Sequence, residues 1–163
     1  MNPASAKTSV NQIPRLHKEY VKMWGSTDNI FDFGAGKAGK VDQFMAEHST
    51  QYHPYDPFNR DANTNARSLS NVSNCFAVLC SNVINVLEDE ALNVTIEQLV
   101  NLTEQVAGNV CYITVYYRSN LPAGRIVGDH FQRNQPAKWY IPFLKGHFET
   151  VYLKNNIIRC FAF

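Results

Sequence analysis

The sequence predicts an α/β fold, a mostly parallel sheet with helices on both faces and a C-terminal antiparallel hairpin. Three observations carry the prediction. The runs "CFAVLC" and "NVCYITVYY" are apolar without alternation, which marks strands covered on both sides. Segments with helical apolar spacing separate such runs, as parallel sheets require. The last two strand-like runs flank "KNN", an asparagine turn of the hairpin kind.

Taken in order, residues 1–13 are small and polar and read as a flexible arm. Residues 14–25 form a helix, with Leu16, Tyr20, Val21 and Trp24 on one face, Pro14 at its start and Gly25 at its end. "NIFDF" is a short strand running into a glycine turn, and "KVDQFMAEH" is the helix that follows, with Val41, Phe44 and Met45 aligned. "TQYHPYDPF" is a second strand ending at Asp56 and Pro57. Residues 59–74 are polar and asparagine-rich, without a period that assigns them to helix or strand. After the strand in "CFAVLCSNVINVL", residues 88–108 read as one helix closed by Gly108. The strand in "NVCYITVYYR" leads into an irregular connection over residues 119–138. "WYIPFL" reads as a short helix or turn before the final hairpin.

The 163 residues fit a single domain spanning 1–163. Apolar residues make up 45% and charged residues 18%, and the net charge of +1 excludes an overall basic field. Cys75, Cys80, Cys111 and Cys160 have neither zinc-knuckle nor CxxC spacing and lie in apolar runs, so they read as buried, reduced thiols and no metal site is expected. With no apolar leader and no membrane-length window, a soluble cytoplasmic protein is expected.

In parallel sheets of this kind a ligand sits beyond the carboxyl ends of the strands, where the topology switches. Three stretches fall there. Gly34, Gly36 and Gly39 form G-x-G-x-x-G between a strand and a helix: the first permits a tight turn, the second close approach of a ligand, the third helix-to-strand contact. A ligand-free tight turn is the bland alternative. Asp32, at the end of a buried strand, needs a partner or a ligand. Asp56 lies 22 residues beyond Gly34, near the spacing of a ribose-binding acid, although Asp-Pro is also a common turn opener. "CSN" ends the next strand.

"FDFGAGKAGK", "YDPF" and "VLCSNVINVL", in this order, resemble the nucleotide-binding motifs of class I S-adenosylmethionine-dependent methyltransferases, most of all small bacterial and phage proteins of that kind. The resemblance implies a Rossmann-like fold, shared over residues 29–163, with motif-level likeness over 30–87. It implies S-adenosylmethionine as cofactor, held by Asp32, Gly34, Ala35, Gly36, Gly39, Asp56, Pro57, Phe58, Ser81, Asn82 and Val83. Asn82 would face the methyl group. Two departures are visible. The stretch between Asp56 and Cys75 is too short and polar for the family's usual third strand and helix, so a reduced sheet is expected. No DPPY-type tetrapeptide and no Pro-Cys pair is present, which leaves the acceptor open.

Methyl transfer needs alignment, and for some acceptors a base. Asp129 and His130 in the long connection are candidates for that role beside Asn82. Tyr117, Arg118, Gln132 and Arg133 are candidates for substrate contact. Lys37, Lys40, Arg60, Arg67 and Arg125, with Arg118 and Arg133 and interleaved aromatics, favour nucleic acid over a small molecule as acceptor. Two other uses of the crevice stay open: a relative that binds or consumes S-adenosylmethionine without methyl transfer, and an NAD-dependent oxidoreductase, which shares the glycine pattern and the following acid.

Overall fold

The computed structural model describes residues 10–24, 28–49, 51–127 and 130–163. Six strands form one sheet in the order β2-β1-β3-β4-β8-β7: β1 (Ile30–Phe33), β2 (Tyr52–Tyr55), β3 (Ala77–Ser81), β4 (Val110–Thr114), β7 (Thr150–Lys154) and β8 (Ile157–Phe161). The first four pair in parallel. β8 runs antiparallel to β4, and β7 antiparallel to β8 at the edge. This is the predicted mixed α/β fold with its C-terminal hairpin. The chain steps from β1 outward to β2 and then returns to the other side of β1 for β3, so the switch point lies between β1 and β3.

Alternation along the strands divides the core in two. Ile30, Ala77, Leu79, Val110, Tyr112 and Ile157 point toward α1 (Arg15–Trp24) and α2 (Lys40–His48). Phe31, Phe33, Val78, Cys80, Ile113 and Ile158 point toward α4 (Asp89–Thr103) and α5 (Ala137–Lys145). Helices therefore cover both faces, which is why the central strands read as unbroken apolar runs. All four cysteines are buried free thiols. Burial pushes Cys75 and Cys160 up to about 12. Among the described residues no helix is long and apolar enough to cross a membrane.

The differences from the sequence reading are local. Residues 62–70, which carry no apolar period, form α3 (Ala62–Ser70). Polar contacts hold it: Asp61 caps Thr64 N at 2.8 Å, and the Ser68 hydroxyl donates to the Pro54 carbonyl at 2.7 Å. Among the described residues no strand lies between β2 and β3, so the sheet is reduced in the middle. The helix expected over 88–108 ends as α4 at Thr103, because the β3 entrance captures the following amides, Ala107 N on Cys75 O and Gly108 N on Phe76 O, both at 2.9 Å. The irregular connection contains a short ribbon, β5 (Arg125–Val127) against β6 (His130–Gln132), too brief to leave a two-residue period. Asn134 braces its base: its side chain accepts from Arg118 N and donates to the Arg118 and Leu121 carbonyls at 2.7–3.0 Å. "WYIPFL" lies inside α5, with Pro142 near its end. Gly25 and residues 1–9 lie outside the described residues.

His53 in β2 is buried, and its Nε2 has no partner among the described residues. Burial first, and Arg67 second, hold its pKa below the ordinary 6.5. The unfolded chain thus binds this proton more readily, and stability falls as pH drops below about 6.5, levelling off beneath the folded value. His53→Gln, which cannot titrate, should lose less stability than the parent in urea melts at pH 7.5 and 5.5; equal losses would exclude His53 as the source.

Candidate functional site

The glycine turn leaves β1 with Gly34 at φ +72° and Gly36 at φ +69°, backbone that side chains rarely tolerate. Gly34 N and Ala35 N donate to the Tyr55 carbonyl at 2.8 and 3.1 Å, tying the turn to the end of β2. Gly36 N donates to Asp56 Oδ2 at 3.0 Å, and Arg60 Nε donates to the Gly36 carbonyl at 2.6 Å. Gly39 serves a different contact from the one expected: it packs on the N-terminal segment rather than on a strand. A Cβ there would lie 2.4 Å from the Val10 carbonyl oxygen, which accepts from Lys40 N at 2.9 Å.

Asp56 is buried, and both its oxygens are occupied. Oδ1 accepts from Phe58 N and Asn59 N at 2.9 and 3.1 Å; Oδ2 accepts from Gly36 N and from the Asn59 side chain at 3.1 Å. The residue thus joins the glycine turn to its own turn. Pro57 and Phe58 stand exposed beside it. Asp32 points to the α1 side of the sheet, where His17 Nε2 donates to it at 2.8 Å and the Tyr52 hydroxyl also donates. Burial first, and Asp32 second, push the Tyr52 phenol well above its ordinary value, so it is a neutral donor. His17 escaped the sequence reading because a histidine in an apolar helical stripe looks like packing.

At the end of β3, Ser81 Oγ lies 3.2 Å from Thr114 Oγ1, and Asn82 turns the chain at φ +59°. Its amide donates to the Thr114 carbonyl at 2.9 Å. Val83 then lies directly over Gly34. The ends of β2, β1 and β3 are neighbours in the sheet, so the structure brings together the three stretches that the sequence singled out.

A cavity of about 300 Å³ opens beside the last of them: Asn82 lines it, whereas the glycine turn and Asp56 do not. Asn82, Thr114, Val115, Tyr116 and Tyr117 line its strand side. Pro136 and Ala137 close it from the start of α5, and Arg15 and Asn156 from the far side. Arg15 is placed by a bond from its guanidinium to the Asn155 carbonyl at 3.1 Å, across the Asn155–Asn156 turn of the last hairpin. No local pattern marked Arg15 or Asn156; the asparagine pair signalled only a turn. Of the residues expected to contact substrate, Tyr117 lines the cavity, and Arg118 stacks on Tyr116 at 5.4 Å. Gln132 lies on the ribbon, half-buried. Arg133 is buried, bonded to Asp89 at 2.9 Å and to the Leu87 carbonyl. His130 is buried on β6 and is not among the lining residues; Asp129 lies outside the described residues.

No protein-family profile and no curated protein matches the chain. A solved structure of a DhpI–SAH complex is similar to it with TM-score 0.52 and 12% identity, over 88% of this chain and 80% of that one. The fold is a methyltransferase-like Rossmann fold.

Proposed function

We propose that the protein is an S-adenosylmethionine-dependent methyltransferase. The observation that carries the reading is the meeting of three strand-end turns, at Gly34–Gly36, Asp56 and Asn82, around the switch point, with Asn82 also lining a cavity. The fold neighbour was solved with SAH, the product form of that cofactor, which supports the same reading. The bare backbone of Gly34 and Gly36 fits a ligand that must approach the chain closely, as adenosine-bearing cofactors do. Gly34, Ala35 and Gly36 would hold the cofactor's middle. Asp56 would accept ribose hydroxyls in place of the Asn59 amide donors, Phe58 and Val83 would flank the adenine, and Asn82 would stand between cofactor and cavity. When bound, the cofactor supplies a methyl group activated on a sulfonium. This chain's part is to align an acceptor in the cavity and exclude water.

Calorimetric titration tests the reading. S-adenosylmethionine and S-adenosylhomocysteine should bind and NAD should not. Asp56→Ala should weaken the first two by about tenfold or more, as expected for losing a hydrogen-bonding charge. Binding of NAD alone would transfer the site to an oxidoreductase, and binding of none would reduce the glycine turn to a structural role.

A further inference from the structure

The cavity beside Asn82 carries one kind of charge. Arg15 is its charged lining residue, and the described lining holds no aspartate, glutamate, histidine or lysine. Arg15 is exposed and donates to the Asn155 carbonyl through one terminal nitrogen at 3.1 Å. Its remaining N–H donors form the planar fork that matches the two oxygens of an oxyanion. Asn82, Asn156 and Thr114 add neutral polar groups around the same space. The start of α5 closes the wall, with Pro136 at its N-cap and no side-chain cap there, so the positive end of that helix adds to the field of Arg15.

Size and charge also argue against a polymer. About 300 Å³ is the low end for small-molecule sites. Two of the arginines that could have received a phosphate backbone are already paired. Arg60 makes a two-pronged bond to Asp42 at 2.7 and 3.0 Å, and Arg133 is bonded to Asp89.

Resting on the methyl-donor reading, we propose that the acceptor is a small molecule bearing an oxyanion, carboxylate or phosphoryl, which Arg15 anchors in this cavity. The rim tyrosines Tyr116 and Tyr117, each about two-fifths exposed, suit a planar body on that anion.

The test uses ligand-observed NMR on the full chain with benzoate, phenyl phosphate and neutral benzamide, with S-adenosylhomocysteine titrated in parallel. Either anion should bind at least about tenfold more tightly than benzamide, and Arg15→Gln should remove that margin, as losing a charged hydrogen bond does. A thermal midpoint unchanged from the parent would show that the variant folds. Preference for benzoate assigns a carboxylate, and preference for phenyl phosphate a phosphoryl group. Equal binding of benzamide, or anion binding indifferent to Arg15→Gln, would overturn the proposal. So would a single-stranded oligonucleotide that binds in an Arg15-dependent way while neither anion does. If S-adenosylhomocysteine binds and the anions do not, the acceptor proposal fails alone. If the anions bind and S-adenosylhomocysteine does not, the methyl-donor reading fails and the anion site stands.

Discussion

Replacing Asp32 by alanine should lower the unfolding free energy by about 3–5 kcal/mol, the range for removing one partner of a buried, hydrogen-bonded charge cluster. Asp32 is 1% exposed, and its carboxylate receives both His17 Nε2 and the Tyr52 hydroxyl. Alanine would strand both donors in an apolar layer formed by Leu16, Ile30 and Met45. Their lost partner, rather than the lost side-chain volume, makes up most of the cost. Asp32→Asn keeps the shape and one acceptor oxygen and should cost clearly less than alanine. Urea denaturation of the three proteins measures both differences. A cost below about 1 kcal/mol for the alanine variant would mean that the cluster does not hold α1 and β2 to β1.

Gly34→Ala is the second large effect. At φ +72° a side chain adds about 1–2 kcal/mol of backbone strain. The new Cβ would also lie 2.3 Å from Val83 Cγ2, with the other Val83 branch atoms at 3.5 Å. Valine is stiff about χ1, so it cannot swing aside freely, and overpacking of this kind costs a further 1–3 kcal/mol or so. The two contributions separate experimentally. In the double variant Gly34→Ala with Val83→Ala, the clash disappears and the strain stays. Denaturant melts of the single and double variants should therefore show favourable coupling of about 1–3 kcal/mol. Zero coupling would show that Val83 does not press on the turn. Since that contact joins the β1 turn to the β3 turn, the same variants should weaken S-adenosylhomocysteine binding if the proposed site is correct.

The elements most legible in the sequence are those whose signal is local. The apolar runs of β3 and β4 announced their burial because helices cover both faces, and the Asn155–Asn156 turn announced the hairpin because both residues tolerate positive φ, here +54° and +57°. The placement of Gly34 and Gly36 between strand and helix was equally readable. α3 was not, because capping by Asp61 and a bond from Ser68 hold it, and such contacts leave no apolar period. Gly39 had the right spacing for one contact and made another, since the segment at Val10 returns over α2.

What the sequence by itself determined is the order of the six strands of the main sheet and of the helices α1, α2 and α4, the reduced middle of the sheet and the three turns at the strand ends. Each follows from short-range pattern: apolar periodicity, turn chemistry and glycine placement. Only the tertiary structure decided that Asp56 spends its oxygens on two turns, that Arg60 and Arg133 are paired, and that Arg15 and Asn82 line one cavity. Arg15 and Asn155 are 140 residues apart in the chain and touch only because packing brings the start of α1 to the turn of the last hairpin. Contacts of that separation are set by how the elements pack, and no local pattern of residues encodes them.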